Sequence, residues 1–365
     1  MAELWMNLPA YASDYSGACA VCAPLGALCV IHGATGCANN YVTFDDPRAF
    51  EGSRVLSSGL RELDAVMGGD DLLIEETEKE IRRLPPPLVL LTGTPVPMLI
   101  GTDLEGIAAE LESRTHIPCI GVATTGTVPY NRGAARACLQ LVKRFAGSAR
   151  GRTRCAGVLG LNALDFPAPE TAGVLAGFLR DAGFEPLRQN FEDLKKLGEA
   201  AVTLVVSQSG LDAAQYLKDQ FGVPWVCGLP CAETEKLLHE AAETGKCLFQ
   251  SAPAACGGLL IAGEQVLADA LRGKFLRSCP DMPVTVGTLL GLDRRIAAPG
   301  DLNIRGEAEL AAFLASGQYT SFAGDPLMES LIPPGSGIKF IPVPHYALSS
   351  RLYENSPMPW EKEIF

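Results

Sequence analysis

Short unbroken apolar runs alternate along this chain with longer stretches in which apolar residues recur every three or four positions. Leu25–Ile31 and Leu88–Thr92 are runs of the first kind, as expected of strands buried on both faces. Ile117–Val122, Cys155–Leu159, Val202–Ser207, Trp225–Gly228, Gly257–Ala262 and Val284–Gly287 repeat the pattern, and Tyr319–Ala323 and Ile338–Pro342 are candidates for the last strands. Helical spacing falls between them. Asp70 and Asp71 open a helix to about Leu84, with Glu75–Lys79 and Glu78–Arg82 as i,i+4 pairs, and Pro85-Pro86-Pro87 stops it. Thr102-Asp103-Leu104-Glu105 has the form of a capping box opening a helix to about Arg114. Ala134–Phe145, Glu170–Ala182, Leu211–Phe221, Ala232–Thr244, Glu264–Leu276 and Glu307–Ala315 are further helices. Leu63–Met67 reads as a short strand and Gly93–Gly101 as a loop.

Alternation of buried strands with amphipathic helices implies parallel sheets joined by crossover helices. The pattern restarts twice, once after the small, flexible stretch Gly147–Arg152 and once near Ala254. The expectation is an α/β protein of three doubly wound, Rossmann-like parallel-sheet domains around a central cleft. Residues 1–150 form an N-terminal domain bearing the cysteine loops, 151–253 a second domain and 254–342 a third. A tail, 343–365, packs across domains or a partner. Ligands in such folds sit outside the carboxyl ends of the strands.

Composition narrows the function. Thirty basic against 42 acidic residues give a net charge of −12, which argues against a nucleic-acid footprint. No segment reaches the roughly 18 uninterrupted apolar residues of a membrane span. The N-terminus lacks the basic and apolar regions of a secretory signal, so a cytoplasmic location is expected. Neither G-x-x-x-x-G-K-[ST] nor G-x-G-x-x-G after a strand occurs, and G-x-S-x-G is absent. The four histidines are scattered: His116 and His239 read as helix-end residues, and His345 as a residue that could face the cleft.

Twelve cysteines remain, which in a reducing compartment read as thiols or metal ligands rather than disulfides. Cys19, Cys22, Cys29 and Cys37 fall among Gly, Ala and small polar residues, and the turn His32-Gly33-Ala34-Thr35-Gly36-Cys37 presents the last of them. Thiolates without nearby histidines favour iron–sulfur clusters, although C-x₂-C-x₆-C-x₇-C is not a ferredoxin spacing. The reading is an iron–sulfur site on Cys19 and Cys37 with Cys22 in reserve; small core thiols are the alternative. Cys227 and Cys231 follow a strand, while Cys119, Cys138, Cys155 and Cys247 read as core. Cys256 and Cys279 stay open.

Several segments in order resemble the nitrogenase component 1 superfamily over almost the whole length. They are Cys19 with the Gly/Ala-rich run to Cys37, and Leu60–Asp70. Thr92-Gly93-Thr94-Pro95 with Leu99–Asp103 follows, then Gly160-Leu161-Asn162, Phe221–Pro224 and Gly324-Asp325-Pro326. The resemblance implies that Cys19 and Cys37 are the first and second cluster cysteines. Thr94 stands where members with the larger cluster have a third cysteine, and a hydroxyl is a poor iron ligand. Two thiolates from each of two chains would suffice for one [4Fe–4S] cluster at a subunit interface, in a homodimer or a heterodimer with a sister subunit. No ligand set for a second metal cofactor is evident. The implied function is an oxidoreductase subunit that takes low-potential electrons from an ATP-dependent P-loop iron–sulfur reductase and reduces an unidentified substrate. A non-catalytic scaffold for metal-cofactor assembly is the second reading. A small-molecule binding module of the same layers is the third, and it does not account for the cysteines.

Overall fold

The computed structural model describes residues 5–47, 54–147, 154–250 and 257–353. Residues 148–152 of the expected linker, Cys256 and the tail beyond 353 lie outside these.

The first sheet is built from β1 (Leu28–His32), β2 (Val55–Ser57), β3 (Val89–Gly93) and β4 (Cys119–Val122), in the order β2-β1-β3-β4 with every pair parallel. Its helices are α1 (Asp14–Cys22), α2 (Thr35–Asn40), α3 (Glu62–Met67), α4 (Asp70–Arg83), α5 (Pro95–Ile100), α6 (Leu104–Thr115) and α7 (Tyr130–Phe145). The second sheet holds β5 (Cys155–Leu159), β6 (Glu185–Pro186), β7 (Val202–Val205), β8 (Trp225–Cys227) and β9 (Leu248–Phe249), in the order β6-β5-β7-β8-β9. Around it lie α8 (Thr171–Asp181), α9 (Phe191–Leu194), α10 (Leu211–Phe221) and α11 (Ala232–Thr244). The third is β12-β11-β10-β13-β14, from β10 (Gly258–Ala262), β11 (Val284–Thr288), β12 (Leu302–Asn303), β13 (Tyr319–Gly324) and β14 (Lys339–Pro342). Its helices are α12 (Gln265–Ser278), α13 (Glu307–Ala315) and α14 (Tyr346–Ser349). All three are parallel sheets with flanking helices, and each reverses winding beside its first strand, where the loops on either side diverge.

Several expectations from the sequence are corrected. Leu63–Met67 is not a strand but most of α3: Asp64 reaches back to the Arg61 N–H at 3.3 Å, and Leu63, Val66 and Met67 share a helical spacing. The supposed loop 93–101 contains α5, because Pro95 at its first position suits a helix start and left-handed Gly101 ends it. Asp103, not Thr102, caps α6 by accepting from Gly106 N at 2.9 Å. Lys79 pairs with Glu76 rather than Glu75, and His239 lies inside α11 against Phe184 instead of at a helix end.

The first sheet is tied to the rest by α1, a helix the apolar pattern does not reveal because every residue in it is buried. It crosses α7 at glycines. A Cβ at Gly17 would lie 1.9 Å from the Tyr130 carbonyl oxygen, and one at Gly133 would lie 1.8 Å from that of Asp14. The segment before α1 is bound to the third unit: the Glu307 carboxylate accepts from the backbone N–H groups of Met6, Asn7 and Leu8.

Candidate functional site

Two sets of strand-end loops bring candidate side chains together. The first lies where β1 and β3 part. β1 delivers His32, and the chain turns through Gly33 into α2, with Cys37 in its first turn. β3 ends beside it, and the Thr94 N–H donates to the His32 carbonyl at 3.1 Å. Gly33 is obligatory there, since a Cβ would fall 1.9 Å from Thr94 Oγ1. The turns whose likeness to one family was separated by some sixty residues in sequence are thus in contact.

Burial sorts the thiols. Cys37 is half-buried, and Ala34, Thr35 and Gly36 before it are exposed. Cys19, Cys22 and Cys29 have no exposure. Desolvation, and then the neighbouring Cys29 and Cys22, push the Cys19 thiol well above its ordinary range, and Cys22 is raised likewise. Tyr15 links the two candidate ligands. Its hydroxyl donates to the Cys37 carbonyl at 3.4 Å, and Cys19 sits one turn further along α1. Within one chain these sulfurs do not assemble a ligand set, for no group of three metal-binding side chains occurs among the described residues. Cys37 therefore fits a shared thiolate-bound group. Cys19 fits only if its sulfur turns away from Cys29, and Cys22 is as fully buried as Cys19. Thr94 Oγ1 and His32 Nε2 are buried beside the turn without a hydrogen-bond partner.

Both short helices beside this turn are apolar and exposed. On α3, Leu63, Val66 and Met67 are each more than 70% exposed, and on α5 Leu99 is 77% exposed. Leu60 N donates to the Gly33 carbonyl at 2.9 Å, and Thr94 immediately precedes α5, so both helices spring from residues touching the turn.

The second set is the junction of the three sheets. Tyr130 at the start of α7, Asp165 after β5 and His345 after β14 form a closed triangle. The Tyr130 hydroxyl bonds Asp165 and lies 3.2 Å from His345 Nε2, which is 3.1 Å from Asp165 Oδ1. Asn162 Nδ2 donates to the other Asp165 oxygen at 2.7 Å, and Asp325 Oδ2 accepts from His345 N at 2.8 Å. Beside them, buried Glu264 accepts from Gln208 N and Leu267 N. Desolvation and the charge of Asp165 raise its carboxyl to about 8. His345, read from the sequence as a residue that could face the cleft, is buried here, and its partners were not legible because they stand 180 and 215 positions away. Cys227 is buried at the end of β8, and Cys231 caps α11, accepting from Thr234 N.

Residues 13–274 match the model of the nitrogenase component 1 type oxidoreductases. The chain belongs to that family. Its relatives differ in what they do. It is 21% identical over 225 residues to the nitrogenase iron-molybdenum cofactor biosynthesis protein NifE of Clostridium pasteurianum, covering 58% of this chain and 48% of that one. Over 95 residues it is 35% identical to component CfbD of the Ni-sirohydrochlorin a,c-diamide reductive cyclase complex of Methanosarcina acetivorans, covering 26% and 24%. It is 25% identical over 187 residues to a subunit of the light-independent protochlorophyllide reductase of Nostoc punctiforme, covering 46% and 36%. The chain thus spans less than half the length of these curated relatives. In fold it matches the solved structure of nitrogenase Cp1 at pH 6.5 with a TM-score of 0.70 and 14% identity, over 93% of this chain and 86% of that one. Among the described residues no helix is long and apolar enough to cross a membrane.

Proposed function

We propose that this member of the family is an iron–sulfur oxidoreductase subunit of a two-component reductase, with Cys37 as its outermost cluster ligand. One observation carries the reading: of the four N-terminal thiols, Cys37 alone reaches the surface, at a strand-end turn flanked by the bare apolar faces of α3 and α5. Cys37 from two copies, joined by Cys19 once it leaves Cys29, would provide four thiolates for one [4Fe–4S] cluster, with Cys22 as the reserve ligand. When bound, such a cluster supplies one-electron relay. Gly33 and Thr94 hold the turn, and Thr94 offers a hydroxyl rather than a third thiolate. The apolar helices suit both a second protomer and an ATP-dependent P-loop iron–sulfur reductase; apolar faces of this kind mark contact surfaces. The three sheets are taken as domains 1–150, 151–253 and 254–342, and the cytoplasm as their setting.

Protein purified without oxygen should carry about four irons per dimer and an EPR signal on reduction. Cys37→Ser should lose both while its far-UV circular dichroism is unchanged. Wild-type protein free of iron, or a serine variant with full iron content, overturns the assignment.

A second reading is a scaffold for metal-cofactor assembly. NifE, a cofactor biosynthesis protein by name, is among the relatives. Turnover with a reductase and ATP separates the two: steady product release supports the enzyme, and transfer of a metal cluster to an acceptor supports the scaffold.

A further inference from the structure

Bordered by the start of the loop after β5, a cavity of about 300 Å³ opens between the first and second units. Its walls come from α1 and α7 on one side and from the ends of β5 and β6, with α8, on the other. Leu25, Leu141, Leu159, Leu175 and Leu197 make the body of this space apolar. It lies at the carboxyl ends of β5 and β6, the end of an open α/β sheet at which ligands are taken.

The rim is polar and its groups are almost all committed. Gln189 Nε2 donates to the Leu161 carbonyl at 2.7 Å, and Asn190 Oδ1 accepts from Asp193 N at 2.8 Å. Despite its partial burial, Asp193 is held below the usual carboxylate range by Lys196 and the Arg188 N–H, so its charge is matched. Arg188 is the exception. It is exposed at the mouth, and its guanidinium forms no ion pair among the described residues. A single unpaired guanidinium over an apolar chamber selects one ligand chemistry, since its fork matches a carboxylate and the leucines match a hydrocarbon body.

We propose that this cavity is a binding site for an amphipathic monocarboxylate, its apolar body among the leucines and its carboxylate on Arg188. The site is independent of any cluster at Cys37.

The test is fluorescence titration of the full chain with 1-pyrenebutyrate and with its uncharged counterpart, 1-pyrenebutanol. The acid should bind saturably at one site, at least tenfold tighter than the alcohol, tenfold being what about 1.4 kcal/mol produces. Arg188→Gln, a change at an exposed position, should bring the acid down to the affinity of the alcohol. Gly173 on α8 lines the cavity, and a Cβ there meets nothing within 4 Å. Gly173→Leu should therefore fold and lose both ligands. No saturable binding by the wild type, equal affinity for acid and alcohol, or wild-type titration by Gly173→Leu overturns the site. Iron content under anaerobic purification reports on Cys37 alone, so failure of that assignment and failure of this one are told apart.

Discussion

The turn at Cys37 and the junction at His345 occupy the same kind of place, the carboxyl ends of parallel strands, and have been finished in opposite ways. At the turn the chain leaves a half-buried thiol and two exposed apolar helix faces, with Thr94 Oγ1 and His32 Nε2 buried and unpartnered beside them. At the junction it closes the space with its own side chains, and the triangle of tyrosine, aspartate and histidine is sealed from water. The lesson is that topology nominates a site and side chains decide whether it stays open. A binding surface is incomplete in the isolated protomer, whereas the junction is filled by its own side chains, even though His345 Nδ1 within it has no hydrogen-bond partner.

The largest break in this comparison comes from the closed side. Asp165→Ala leaves Tyr130, His345 and Asn162 without their shared acceptor and should cost ~3 kcal/mol, the usual range for stripping one member from a buried charged network. Urea unfolding would show it as a lower midpoint; a midpoint unchanged from wild type would mean that the triangle holds nothing together. At the open turn the effect is smaller and conditional. Gly33→Ala drives a Cβ into Thr94 and should cost about 1–3 kcal/mol by overpacking. Pairing it with Thr94→Gly should recover more than half of that loss, and strict additivity of the two changes would show that the turns are not in contact. A third effect concerns protons. Unfolded, Glu264 ionises near 4.5; in the fold its carboxyl keeps its proton up to about 8. Between those values the unfolded chain binds fewer protons, so stability falls as pH rises through that window and the term is constant above it. Glu264→Gln should flatten the slope. Parallel pH profiles for the two proteins would refute a raised carboxyl.

The strands and most long helices were readable because both advertise themselves through apolar period: α10, α11 and α13 stand where their spacing puts them. Short helices were harder. Leu63, Val66 and Met67 have helical spacing, yet in a five-residue window that is indistinguishable from a strand, and all three face outward instead of toward a core. α1 hid for the opposite reason, being buried all round and so without a polar face. The edge strands β6, β9 and β12 are two residues long and leave no period at all. At the candidate site, the Gly-rich turn and Cys37 were visible in the sequence, and so was a hydroxyl rather than a thiol at Thr94. What separates Cys37 from Cys19, surface from interior, depends on how α1 crosses α7. No spacing between cysteines encodes that crossing.

The hold of Glu307 on residues 6–8 bears on how this protein is made. These three amides leave the ribosome some 300 residues ahead of the carboxylate that receives them. Residues 6–8 must wait for a partner some 300 positions on, and Ala12, whose N–H donates to the Ala347 carbonyl at 2.8 Å, waits longer still. Contacts so remote are slow to form, because the loop they close is costly in entropy. Until they do, the hydrophobic flank of the third unit stands open to chaperones and to its own kind.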